Sequence, residues 1–151
     1  MTLTLLQYTT AINPEIKSKL NPKILWSLKL GGSESFEFSP SIMGDEAYAA
    51  SSDGSLAKID LKTGKVVWQI NTGEKLSGGV GLGPNEITVG TSTGLLVAYD
   101  LNAKLLWKTR LSSQILSAPT IHEGLAIVRT SDNLIHAINV KDGLKKWTFS
   151  R

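Results

Sequence analysis

The sequence predicts an all-β chain, and within that class a β-propeller of about three four-stranded blades with one extra strand on the N-terminal side. Three observations carry the prediction. Four tryptophans, Trp26, Trp68, Trp107 and Trp147, follow one another at intervals of 42, 39 and 40 residues. The text leading into three of them repeats: SSDGSLAKIDLKTGKVVW ends at Trp68, TSTGLLVAYDLNAKLLW at Trp107 and TSDNLIHAINVKDGLKKW at Trp147. Between these landmarks lie short alternating runs separated by Gly-Asp, Asp-Gly, Thr-Gly and Gly-Pro-Asn, which is hairpin chemistry. A period near forty with short strands and a Gly-bearing turn in each unit is the sequence signature of propeller blades.

The elements follow in order. Residues 1–21 read as an N-terminal arm, irregular apart from a turn or two of helix compatible with 14–20. Residues 22–151 read as a partial propeller, with blades at approximately 31–71, 72–111 and 112–151. A strand at 24–30 carries Trp26 and belongs to a preceding or closing blade. The first blade takes strands at 39–44, 46–51, 55–61 and 66–71, the second at 78–83, 86–91, 95–101 and 104–111. The third takes 117–122, 125–130, 134–140 and 144–150. Ser, Gly and Pro crowd the first strand of each unit, where strands meet near an axis and leave one edge unpaired. The third strand of the second blade is apolar on both faces (Leu96 and Ala98 against Val97, Tyr99 and Leu101), as a strand buried between layers must be. Val66, Trp68 and Ile70 make one apolar face of a fourth strand whose other side is polar, which suits an outer edge.

The repeating residues therefore read as structural. Trp26, Trp68, Trp107 and Trp147 pack between blades, where a large aromatic ring buries much area. Gly54, Gly94, Gly64 and Gly143 are turn glycines, and Asp60 and Asp100, like Asp53 and Asp132, bond their own backbone in tight turns. A cation site would need oxygens converging from several segments, which this pattern does not indicate. His136 stands where the neighbouring units have Ala57 and Val97, so it packs between blades, and His122 sits beside Glu123 at a turn. Ser51-Ser52 and Ser112-Ser113 come without a nucleophile elbow or triad pattern. The Gly78–Gly83 stretch lacks the Gly-Lys-Ser and the following helix of a phosphate cradle.

Composition excludes several classes. The 16 basic and 13 acidic residues give a net charge of +3 without any basic block, so no nucleic-acid groove is expected. With no cysteine, the chain holds no disulfide, thiolate metal site or cysteine nucleophile. No apolar run is long enough to cross a bilayer as a helix. The first basic residue is Lys17, so the start reads neither as a secretory signal nor as a lipid-attachment site.

Ser52-Asp53-Gly54, Lys58-Ile59-Asp60, Thr63-Gly64-Lys65 and Trp68 together resemble the repeat of the pyrroloquinoline-quinone-type propellers; in the second unit Asn102-Ala103 replaces Thr-Gly. Within that superfamily the chain resembles the BamB (YfgL) family of outer-membrane assembly lipoproteins. The residues that carry this are Leu25-Trp26-Ser27, Leu76-Ser77-Gly78-Gly79-Val80, Leu116-Ser117-Ala118-Pro119, Ile127-Val128-Arg129-Thr130-Ser131 and Lys146-Trp147-Thr148. The resemblance implies an eight-bladed ring on the periplasmic face of the outer membrane, a non-enzymatic scaffold without a cofactor. It implies BamA, the β-barrel assembly protein, as partner, with unfolded outer-membrane proteins as further partners. The family's partner-binding loop follows the strand matching 146–150, so it is expected beyond Arg151 and no partner-binding residue is carried over.

Two other readings stand beside it. A quinoprotein dehydrogenase would hold a quinone and Ca²⁺ at the ring axis through acidic and amide ligands, but the inner strands here offer mainly Ser, Gly, Pro and Ile. A generic ligand-binding propeller is the third. Three blades make an open arc whose end faces are apolar, so either the chain is part of a longer ring or copies associate to close one, the former being expected.

Overall fold

The computed structural model describes residues 22–32 and 38–150; the expected arm at 1–21 and its helical turn at 14–20 lie outside them. The described residues form twelve strands. They are β1 (Ser41–Met43), β2 (Glu46–Ala50), β3 (Ser55–Asp60), β4 (Val66–Asn71), β5 (Gly81–Leu82), β6 (Glu86–Gly90), β7 (Leu95–Asp100), β8 (Leu105–Arg110), β9 (Thr120–His122), β10 (Leu125–Arg129), β11 (Ile135–Asn139) and β12 (Lys145–Phe149). Each consecutive group of four makes one antiparallel meander, β1-β2-β3-β4, β5-β6-β7-β8 and β9-β10-β11-β12. The inner strands β1, β5 and β9 lie side by side along the concave edge. They are shorter than the sequence predicts because Pro40 and Pro119 lack a ladder donor and the glycines at 78 and 79 lack a strand-stabilising side chain.

Two cores separate three blades. Tyr48, Ala50 and Leu56 of the first blade pack with Ile87, Val89, Val97 and Tyr99 of the second. Leu96 of the second packs with Ala126, Val128 and Ile138 of the third. Strand β7 thus sends Val97 and Tyr99 into one core and Leu96 into the other, as its two apolar faces predict. At about 25 cal/mol per Å² of apolar area removed from water, these inter-blade cores hold the arc together.

Two expectations need correction. Residues 24–30 form no strand, because no described residue makes a ladder with them; the segment docks instead through the Trp26 side chain. The apolar face of Val66, Trp68 and Ile70 is also broken. Trp68 pairs with Lys58 but Val66 pairs with Ile59, so a bulge at Val67 puts Val66 and Trp68 on opposite faces. The same shift recurs at Ala98/Tyr99 and Ala137/Ile138, making Leu106 and Lys146 the extra residues before Trp107 and Trp147.

Candidate functional site in the inter-blade joints and the axial groove

Each joint carries one indole latch. Trp26 Nε1 donates to the Leu61 carbonyl at 3.0 Å, Trp68 Nε1 to Leu101 at 3.1 Å and Trp107 Nε1 to Val140 at 2.7 Å. In every case the acceptor lies just beyond the third strand of the following blade, so a Trp on one unit grips the turn of the next. The Trp26 and Trp107 rings lie over backbone in the left-handed region, at Gly64 (φ 69°) and Gly143 (φ 73°), and Ala103 (φ 67°) takes the same region in the matching turn of the second blade. A Cβ on Gly64 would stand 2.5 Å from the Trp26 ring, and one on Gly143 2.7 Å from the Trp107 ring. Trp147, on the last outer strand, is 46% exposed beside Phe149 at 56%.

The turns are held by the acidic residues of the repeat. Asp60 Oδ1 accepts from the Thr63 amide at 2.8 Å and from its hydroxyl, and Asp100 Oδ1 accepts from the amides of Asn102 and Lys104. Asn139 does the same for Lys141 at 2.9 Å. In the β2–β3 turn, Asp53 takes the Ser51 hydroxyl and the Ser55 amide, and in the third blade Asp132 takes the Thr130 hydroxyl. Hydrogen bonds from Ser51, Thr63 and Thr130 hold the carboxyls of Asp53, Asp60 and Asp132 below the ordinary range. Gly54 (φ 93°), Gly94 (φ 81°) and Asn133 (φ 65°) occupy the left-handed corner of those same turns.

Two polar clusters were invisible in the linear sequence. At the first joint the nearly buried Lys58 pairs with Glu46 at 2.8 Å, Tyr48 donates to the other oxygen of Glu46 at 2.9 Å, and Lys58 Nζ lies 5.6 Å from the Tyr48 ring centre. Burial opposes the Lys58 charge, but the bonds to Glu46 and Tyr48 outweigh it and raise its pKa, while Glu46 is lowered by its bond to Lys58. The corresponding residues of the other blades are Ala98 and Ala137, so this ion pair has no counterpart there among the described residues. At the second joint His136 is 1% exposed and touches Ser112, Thr130 and Thr148. The signal that could have found it is the break in the repeat, a histidine where Ala57 and Val97 stand, flanked by hydroxyls at matching registers. His122 is exposed at the tip of β9, 3.8 Å from Glu123.

The inner strands line an open axial groove of about 660 Å³, with Ile42, Leu82 and Ile121 at equivalent positions and Ser41, Pro119 and Thr120 around them. This donor set does not fit a quinone with Ca²⁺, since the groove-lining residues include no carboxylate and no side-chain amide. Among the described residues no group of three or more His, Asp or Glu side chains could hold a metal ion. No described helix is long and apolar enough to cross a membrane.

Comparison with known proteins places this arc. A family profile described as outer membrane protein assembly factor BamB matches residues 18–76 and 52–151. The chain is 37% identical over 130 residues to the BamB of Nitrosomonas eutropha, covering 86% of this chain and 31% of that protein. It is 38% identical over 135 residues to the BamB of Burkholderia pseudomallei, covering 89% and 35%. The chain therefore spans about a third of the length of these relatives. The crystal structure of BamB from Moraxella catarrhalis superposes with a TM-score of 0.71 at 24% identity, over 79% of this chain and 36% of that one. The quinohemoprotein alcohol dehydrogenase of Comamonas testosteroni superposes with a TM-score of 0.70 at 23% identity, over 82% and 22%. At such identities the two structures speak for the propeller fold alone. The profile match along both spans, with relatives above 30% identity over most of the chain, shows that this chain belongs to the BamB family of outer membrane protein assembly factors.

Proposed function

We propose that the chain works as a non-enzymatic scaffold in outer-membrane β-barrel protein assembly, acting through contacts with a BamA-like protein on the periplasmic face of the membrane. The family match over residues 18–76 and 52–151 is the observation that carries this reading. The local chemistry agrees with it: the repeating tryptophans, glycines and aspartates pack joints and shape turns, which serves a rigid scaffold. Unfolded outer-membrane proteins are further candidate partners. In this reading residues 24–30 supply the outer edge of a preceding or closing blade. The Trp26 bond to Leu61 supports that role, because Trp68 and Trp107 make the same bond from true outer strands.

A second reading is part of a quinoprotein dehydrogenase, a class that shares the propeller fold with this chain, as the superposition on the Comamonas testosteroni enzyme shows. The apolar lining at Ile42, Leu82 and Ile121 weighs against it. The test is affinity capture of the full-length protein containing this chain with BamA from the same source, after mild cross-linking. Recovery of BamA supports the scaffold. Failure to recover it, together with quinone-dependent alcohol oxidation by the same preparation, would replace it with the enzyme.

A further inference from the structure

We infer that His136 is a pH-sensitive joint between the second and third blades, and that its protonation loosens the packing of the third blade on the second. The inference rests on where the imidazole lies. His136 is in register with Val97, and Val97 points into the core shared with the preceding blade, so His136 faces the second blade. It is 1% exposed and sits beside the core formed by Leu96, Val128 and Ile138.

Its three partners come from three different segments. Nε2 lies 3.0 Å from Ser112 Oγ, in the connector that leaves β8, and 3.3 Å from Thr130 Oγ1 just after β10. Nδ1 lies 3.1 Å from Thr148 Oγ1 on β12. A neutral imidazole satisfies this ring of hydroxyls, donating from one nitrogen and accepting at the other. An imidazolium must donate from both. The hydroxyl that had been donating to the ring then loses its acceptor. Ser112 must then turn its proton toward Thr130 Oγ1, 3.3 Å away, whose own proton goes to Asp132 Oδ1, so protonation rearranges the hydroxyl ring and leaves a cation at a site 1% exposed.

The charges acting on the ring are Lys145 of β12, which opposes protonation, and Asp132 of the β10–β11 turn, which favours it. Burial is the larger influence, and the net result is a pKa below the ordinary histidine value. The sign follows. A base whose folded pKa is depressed contributes its full stability above the unfolded pKa of about 6.5, and stability falls as pH drops below that value toward the folded pKa. The first joint lacks this dependence on histidine, because Val97 fills the matching site there.

The test compares urea unfolding of the 151-residue chain at about pH 7.5 and about pH 5.5, the window in which histidine titrates. The unfolding midpoint should fall on acidification. His136→Val, which borrows the second blade's own residue, should remove at least half of that fall, and His122→Gln should leave it in place. Hydrogen-exchange protection factors give the location: amides of Val128 and Ile138 should lose protection at the lower pH before those of Tyr48 and Leu56. Should the valine variant not fold, His136→Gln keeps hydrogen-bonding capacity without the charge and should flatten the pH dependence equally. An unchanged fall in the folded variant, uniform loss of protection in all blades, or an imidazole that titrates above the ordinary value by NMR would overturn the inference.

Discussion

The indole nitrogen of Trp107 donates a 2.7 Å hydrogen bond to the carbonyl of Val140, across the joint between the second and third blades. The bond joins residues 33 apart in the chain, and the Trp68–Leu101 bond spans the same number. Replacing Trp107 by Phe keeps most of the buried ring but orphans the carbonyl, which should cost about 1–2 kcal/mol. Replacing it by Ala also empties the joint and should cost about 3 kcal/mol or more. Urea unfolding of both variants measures the two contributions; equal losses would mean that the hydrogen bond alone matters there.

The left-handed residue of these turns gives a paired prediction of opposite signs. Gly143 lies in the left-handed region with the Trp107 ring where a Cβ would go, so Gly143→Ala should destabilise by about 2 kcal/mol or more. Ala103 tolerates the same left-handed backbone (φ 67°) in the matching turn of the second blade at a cost a glycine would not bear. Ala103→Gly should therefore stabilise by about 0.5–1 kcal/mol, less what the added chain freedom removes. Thermal unfolding of the two variants side by side checks both signs.

Trp147 offers the contrast. It belongs to the same repeat, yet it is 46% exposed and grips no following blade among the described residues. Trp147→Ala should cost about 1 kcal/mol or less in this chain, well below Trp107→Ala. The two unfolding midpoints compared directly decide the point, and equal losses would mean that Trp147 is engaged after all.

The turn carboxylates set the acid limit of stability. Because hydrogen bonds lower the Asp53, Asp60 and Asp132 pKa values, their contribution is complete above the ordinary carboxylate pKa and is lost as pH falls through the depressed folded values. Unfolding midpoints should thus drop steeply below about pH 4. Asp60→Asn should reduce that slope without losing the turn, since Asn139 already holds the equivalent turn of the third blade through the Lys141 amide.

Much of the architecture is written locally. An interval near forty between tryptophans, a glycine or asparagine in the turn before each third strand and an aspartate or asparagine at that strand's end are short-range signals. They repeat, and each repetition strengthens the others, which is why all twelve strands stand close to their predicted places. The segment around Trp26 misled for the same reason: it carries the tryptophan of an outer strand, but a strand exists only where another backbone pairs with it.

What the sequence by itself determined, then, is the blade unit, its count and its turn chemistry, because those depend on residues within a few positions of one another. Only the tertiary structure decided the rest. A single extra residue at Val67, Leu106 and Lys146 turns each outer strand so that its tryptophan faces the next blade, and no periodicity shows which residue will be left unpaired. Likewise Ser112, Thr130 and Thr148 meet around His136 only after two blades have packed, since hydrogen bonds depend on distances in space that separation along the chain does not encode.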